Sequence, residues 1–339
     1  MQLIEERTKR SGTGQKETKV LRIVIAGGNG HVGSVLAKYF HERGHSVVVL
    51  ARTTYVRPWR EVAWDGEHLR EWVRELEGAD AVINLVGRSV NCRYNSFHRR
   101  EILESRVKST KLLGIAIAKV KQPPRVWLNA STATIYRHAF DRAMDESTGE
   151  LGGHEADAPA TWRFSTEVAT RWEEAFFAAS TPQTRKVALR SAMTMSPDRG
   201  GIFDTLLRLV RFGLGGPAGG GAQYMSWIHE DDFARAIEFL IAHEEISGAV
   251  NVAAPEPMPN RDFMLALRKA WGARVGLSAK QWMLRVGAVL LRTEPELILK
   301  SRRVIPGRLI AAGFQFRFPY WRVAAEDLVR RWRLASRAT

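Results

Sequence analysis

Cysteine is almost missing from this chain: Cys92 is the only one in 339 residues. One thiol excludes a disulfide framework and any zinc site built on thiolates. It suits a reducing compartment, and the cytoplasm is the expected location. Long apolar runs are missing too. The run Val286–Leu291 stops at Arg292, far short of the roughly 20 residues that cross a bilayer. Residues 1–19 are polar and charged, lack the apolar core of a secretory signal, and are expected to form a flexible N-terminal tail. Acids are in short supply: 36 Asp and Glu against 51 Lys and Arg, a formal charge of +15. The positive residues are dispersed, with a local excess at Arg322, Arg330, Arg331, Arg333 and Arg337, and no nucleic-acid motif accompanies them. The charge therefore reads as solvated surface. Neither a nucleic-acid partner nor a metal site is expected.

What is present is a large apolar content, 45%, arranged in short β-branched runs. Val20–Ala26, His45–Ala51, Asp80–Val86, Arg125–Ala130 and Lys186–Leu189 read as buried strands. Helical patterns lie between them, at Val32–Arg43, Phe97–Lys119 and Glu167–Ala179. Continuous apolar strands alternating with helices predict an α/β fold with a doubly wound parallel sheet of the Rossmann type. After residue 255, marked by Pro255, Pro257 and Pro259, the chain turns to helices rich in Arg, Leu and Trp. Three segments follow: the tail 1–19, a Rossmann domain 20–255 with a substrate-side loop at about 196–226, and a smaller, mainly helical C-terminal domain 256–335. Residues 277–325 carry Trp282, Leu284, Leu290, Leu297, Leu299, Phe314 and Phe316 among arginines. Such a segment must bury one face, and the substrate side of the sheet is expected to receive it as a lid.

The first strand runs into Gly27-Gly28-Asn29-Gly30-His31-Val32-Gly33, and a helix follows. Gly27 permits a tight turn, Gly30 lets the backbone approach a pyrophosphate, and Gly33 allows helix to pack on strand. His31 and Val32 open the helix, whose free N–H groups and dipole favour the phosphates. These positions are the expected dinucleotide cradle. The second strand ends in Leu50-Ala51-Arg52-Thr53, without the acid that would bind a ribose 2′-hydroxyl. Arg52 would meet a 2′-phosphate instead. A charge-assisted bond of ~1.5–3 kcal/mol gives roughly ten- to hundredfold preference, so NADP(H) is expected rather than NAD(H).

Further segments carry a family resemblance: Ile83-Asn84-Leu85-Val86-Gly87, Glu104-Ser105-Arg106-Val107, Gly213-Leu214-Gly215-Gly216-Pro217, Ser226-Trp227-Ile228-His229-Glu230-Asp231-Asp232, Asn251-Val252-Ala253-Ala254-Pro255 and Ser301-Arg302-Arg303-Val304-Ile305-Pro306. The chain resembles the atypical, extended-like short-chain dehydrogenase/reductases of the YfcH epimerase type, which end in a small domain of unknown function matched here by about residues 277–325. The resemblance implies an NAD(P)-binding, epimerase-like oxidoreductase with a small-molecule substrate. It places Asn84, Val86 and Gly87 along the ribose and nicotinamide, and makes the acids of Trp227–Asp232 a helix start.

The same resemblance exposes a gap. Active members of the wider superfamily combine a Ser or Thr with a Tyr and a Lys four residues beyond it. Thr132, in Ser131-Thr132-Ala133-Thr134-Ile135-Tyr136, falls on the hydroxyl position; it is either catalytic or a cap on a strand end. None of the tyrosines has a lysine four residues on, and no lysine occurs between Lys121 and Lys186. Where the pair is expected stand Phe164 or Ser165 and Val168 or Ala169. Tyr136, Glu167 and Glu146 are the candidate replacements, with a packed aromatic, a helix N-terminal acid and a loop charge as their plain structural alternatives. Met225 stands where sugar-nucleotide epimerases place a phosphate-clamping arginine. Two readings stay open: an enzyme with an atypical site, or a non-catalytic dinucleotide-binding regulator or redox sensor.

Overall fold

The computed structural model describes residues 19–156, 158–278 and 296–337. Its strands in chain order are β1 (Arg22–Ala26), β2 (Ser46–Ala51), β3 (Arg60–Ala63), β4 (Ala81–Asn84), β5 (Val126–Thr132), β6 (Arg185–Ser191), β7 (Met193–Met195), β8 (Tyr224–Met225), β9 (Trp227–His229), β10 (Gly248–Val252) and β11 (Met258–Pro259). Seven of them form one parallel sheet in the order β10-β6-β5-β4-β1-β2-β3. Runs such as Ile23-Val24-Ile25-Ala26 are wholly buried because helices cover both faces of the sheet. The expected doubly wound parallel fold is what the chain forms. β3 escaped the sequence reading because it is an edge strand, paired only with β2, and its Arg60-Glu61-Val62-Ala63 carries no apolar run.

The helices are α1 (His31–Glu42), α2 (Ser96–Lys119), α3 (Ala160–Phe177), α4 (Ile202–Arg211), α5 (Glu230–Ala242) and α6 (Asn260–Trp271), followed among the described residues by Glu296–Leu299, Gly307–Ala311 and Trp321–Arg337. On one face, Leu36 and Phe40 of α1 and Ile237 and Leu240 of α5 pack on Ile25 and Val49. On the other, Leu113 of α2 and Phe176 of α3 enclose Trp127. The winding reverses between β1 and β4. Loops at their carboxyl ends part there, which opens the crevice where such sheets bind ligands.

The C-terminal residues return to this body. Leu309 and Phe314 join the apolar cluster of α1 and α5. Trp321 stacks on Phe263 of α6 with centroids 3.9 Å apart. The stretch before them runs along Ala139–Met144: the Met144 N–H donates to Arg303 O at 2.7 Å, and the Ile305 N–H to Met144 O at 2.9 Å. Of the residues expected in a lid, Trp282, Leu284, Leu290 and the side chain of Leu297 lie outside the described residues. Phe314 and Phe316 do not face the substrate end. They pack toward Phe239 of α5, on the flank of the sheet, because an aromatic cluster already waits there. Residues 1–18 of the expected tail also lie outside the described residues. Among the described residues, no helix is long and apolar enough to cross a membrane, and no cluster of metal-ligating side chains occurs.

Candidate functional site

The crevice is a cleft of about 810 Å³ lined by Gly27, Asn29, Gly30, Arg52, Val86 and Gly87, among others. Gly27 sits at φ +75°, which favours glycine, and a Cβ on Gly33 would stand 2.5 Å from the Gly28 Cα. Glycine is therefore required at both points if the turn is to stay this tight. Gly30, the N-cap of α1, lines the cleft and supplies no side-chain cap, so no side chain of its own takes up the first N–H groups of the helix. Arg52 is exposed at the end of β2. Glu61, an acid from β3 nearby, is engaged instead: Asn29 Nδ2 donates to its Oε2 at 3.2 Å and the Tyr55 N–H at 2.6 Å. At the far wall, N–H groups of Glu67 and His68 donate to Asp65 and hold its carboxyl well below the usual range.

The side chains of three of the expected cofactor residues support the turn rather than line the cleft. Asn84 is wholly buried. Its Nδ2 donates to Asn129 Oδ1 at 2.7 Å and Thr110 Oγ1 at 3.1 Å, while its Oδ1 accepts from the Val86 N–H at 3.2 Å. It fixes the strand end that presents Val86 and Gly87. The His31 ring lies against Gly201, where a Cβ would meet it at 2.6 Å. Val32 is half-buried and packs on the α1 and α5 core.

Beyond the end of β5 the candidates for catalysis separate. Thr132 is half-buried, and its Oγ1 accepts the Thr134 N–H at 3.2 Å, so the capping role is real while the side chain stays at the strand end. Tyr136 is 2% exposed. Its hydroxyl donates to Asn251 Oδ1 at 2.9 Å and accepts from Arg190 Nη1 at 3.0 Å. Burial pushes the phenol up from its usual pKa. This hydroxyl is spent on tying β5, β6 and β10 together. Glu146 does similar work, with its carboxylate accepting the N–H groups of Asn251 and Arg308 at 2.8 and 3.2 Å. Glu167 is exposed on α3 and pairs with Arg171 one turn on. None of these three joins Thr132 in an acid–base arrangement.

A different group of side chains gathers there. Ser165, on the first turns of α3, donates to Glu296 Oε2 at 2.6 Å. The Tyr94 ring meets Phe164, the neighbour of Ser165, edge to face at 5.3 Å. Arg302 donates from Nε to Thr134 Oγ1 at 3.0 Å and lies 3.7 Å from Glu296. Lys300 donates to Thr134 O at 2.9 Å. It is 2% exposed, and burial pushes its ammonium down to about 8. Sequence reading missed this cluster because its members come from three distant segments. The one local signal was a lysine at the end of the apolar run Leu297-Ile298-Leu299.

The acids of the Trp227–Asp232 segment do open a helix, α5, with the His229 ring accepting the Asp231 N–H at 3.1 Å. Asp232 has a further task. Its wholly buried carboxylate accepts the N–H groups of Arg317 and Phe318 at 2.8 and 2.7 Å, docking the C-terminal chain.

A strand–glycine-turn–helix cradle at the switch point, with a Ser/Thr-bearing strand end beyond it, defines a dinucleotide-binding protein of the reductase and epimerase class. The chain belongs to the NAD dependent epimerase/dehydratase family, whose model matches residues 23–253. Residues 281–328 match a domain of unknown function, DUF1731. The human epimerase family protein SDR39U1 is 30% identical over 321 residues, 91% of this chain and 100% of the relative. The epimerase family protein ML0860 of Mycobacterium leprae is 30% identical, over 87% of this chain and 91% of its own. A crystal structure of human SDR39U1 with NADPH superposes with a TM-score of 0.79 at 28% identity, covering 91% of this chain and 99% of that one. The UDP-N-acetylglucosamine 4-epimerase of Bacillus cereus shares the fold, with a TM-score of 0.69 at 16% identity.

Proposed function

We propose that this protein is an NADPH-dependent oxidoreductase or epimerase-like enzyme with a small carbonyl or alcohol substrate. The observation that carries the reading is the cleft itself: a glycine cradle at an uncapped helix N-terminus, with cationic Arg52 where an NAD-binding acid would stand. The NADPH complex of the human relative supports the same choice. Gly27, Gly30 and the start of α1 would hold the pyrophosphate, Arg52 the 2′-phosphate, and Val86 and Gly87 the nicotinamide side. When bound, the dinucleotide supplies or accepts a hydride. The protein's own residues position it and bound the substrate space. Residues 296–306, laid over the end of β5, make one wall of that space and keep water from it. The lone cysteine supports a cytoplasmic location.

Isothermal titration with NADPH and NADH, followed by NADPH consumption with a series of carbonyl compounds, tests the reading. NADPH should bind at least tenfold more tightly. Failure to bind either dinucleotide refutes the function outright.

A further inference from the structure

We propose that Arg106 receives a carboxylate of the substrate, through the Nε–Nη2 edge of its guanidinium beside Gly87 of the dinucleotide cleft. The proposal rests on the dinucleotide-dependent function above and names its substrate class: a carbonyl or alcohol compound that carries a carboxylate.

The edge is open. Arg106 is half-buried on α2 and donates from Nη1 alone, to Arg88 O at 3.1 Å and Ile102 O at 2.9 Å. Among the described residues, Nε and Nη2 have no hydrogen-bond partner and no carboxylate pairs with the group. The acids of the same helix are engaged elsewhere, Glu101 with Arg88 at 3.3 Å and Glu104 with Lys108 at 2.8 Å. A Cβ on Gly87 would stand 3.1 Å from Nη2 and 3.2 Å from Nε. Any other residue at 87 would crowd this edge, and glycine leaves it uncovered there. The plane of the group is fixed as well. Its Cζ lies over the Trp172 ring, 5.1 Å from the centroid, and the Trp172 indole donates to Thr110 Oγ1 at 2.9 Å. A fork held this way can meet a carboxylate through two parallel hydrogen bonds.

The position selects the ligand. Gly87, Arg88, Ser105 and Ser109 line the cleft, so the guanidinium stands among lining residues. In the reading above, Gly87 takes the nicotinamide side. A nicotinamide riboside has no anionic group, so an anion for Arg106 comes from the molecule that meets the nicotinamide. Burial pushes the guanidinium down to about 10, which leaves it charged at neutral pH. The plain account is that Arg106 ties Arg88 to α2. Nη1 does that by itself. It does not account for a partly desolvated cation without a counter-ion, which costs free energy unless something pairs with it.

The test uses the full chain, Arg106→Met and Arg106→Lys, with benzoylformate, pyruvate and methyl benzoylformate as probes. The arginine Nε–H resonances are followed by NMR, with the Arg106 signal assigned by its loss in the variants. Each probe is titrated into the free protein and into the NADPH complex. At least one acid should shift the Arg106 signal saturably, and the ester should bind at least about tenfold more weakly than benzoylformate. Arg106→Met should lose at least about tenfold in acid affinity. Arg106→Lys, which keeps the charge without the fork, should fall between. Both variants should bind NADPH within about threefold of the parent. Four results overturn the proposal: an Arg106 signal that neither acid moves, equal affinity for acid and ester, a folded Arg106→Met that binds the acid as the parent does, or a folded Arg106→Met that loses more than about tenfold in NADPH affinity, which would give the edge to the coenzyme. If a variant fails to fold, the titration of the parent decides. A parent that does not bind NADPH would instead refute the function above, while the acid titration of the free protein would still report on Arg106.

Discussion

Glu173 and Arg190 meet in two parallel hydrogen bonds, Nε to Oε1 at 2.9 Å and Nη2 to Oε2 at 2.8 Å, with both side chains nearly sealed from water. Burial opposes the charge on Arg190, yet Glu173 holds the guanidinium above its ordinary pKa. Ser131 and Tyr136 complete the set, so one ion pair joins α3 to the ends of β5 and β6. Removing one partner leaves a buried, uncompensated charge. Glu173→Gln should cost about 3–5 kcal/mol in chemical denaturation. A loss below about 1 kcal/mol would show that water reaches the pair.

Arg52 carries a simpler expectation. Arg52→Asp exchanges attraction for repulsion at the 2′-phosphate and restores an acceptor for a 2′-hydroxyl. The variant should prefer NADH, with NADPH affinity down at least tenfold by calorimetry. Equal affinities for both cofactors in the parent protein would remove Arg52 from the site.

Gly33→Ala probes the cradle without touching a ligand group. The new methyl would stand 2.5 Å from the Gly28 Cα and 2.6 Å from its carbonyl oxygen. Backbone cannot rotate away as a side chain can, so α1 must move off the turn. A loss of about 1–3 kcal/mol in stability is expected, together with weakened dinucleotide binding. Normal binding in a normally stable variant would mean the turn is looser than this geometry.

A pH dependence follows from Glu230. The residue opens α5, is 6% exposed and pairs with Arg331 of the final helix. Burial outweighs that cation and pushes the carboxyl up to about 7. The folded chain thus holds the proton more tightly than the unfolded chain, where a glutamate titrates near 4.3. The stabilisation is full below about pH 4 and is lost as pH rises through 7. Glu230→Gln cannot titrate, so between about pH 4 and pH 8 the parent should lose about 2–4 kcal/mol relative to it. Parallel stability curves would place the parent's pKa at its unfolded value.

The sequence and the structure agree most closely where the signal is local. Ile23–Ala26 and Val47–Ala51 are apolar without interruption because the sheet is covered on both faces, and the glycine turn lies between strand and helix in one continuous stretch. The family resemblance places Asn84 along the ribose with Val86 and Gly87; only the fold shows its side chain turned inward to Thr110 and Asn129. Tyr136 and Glu167 were drawn from residues near the expected motif. Proximity in sequence does not say which way a hydroxyl points, and both are engaged elsewhere. Glu296 stands 131 residues beyond the Ser165 it bonds, so no spacing in the chain could announce the pair.

The contact between Ser301 and Ala139 spans 162 residues. Strands β1 to β5 and the dinucleotide cradle lie wholly before residue 133. All seven strands of the parallel sheet end by Val252, so the segment 296–306 that lies over β5 follows the whole sheet in chain order. Assembly order is written into the topology: the strands are made first and their cover later, so the cover can settle only on a sheet whose strands all exist.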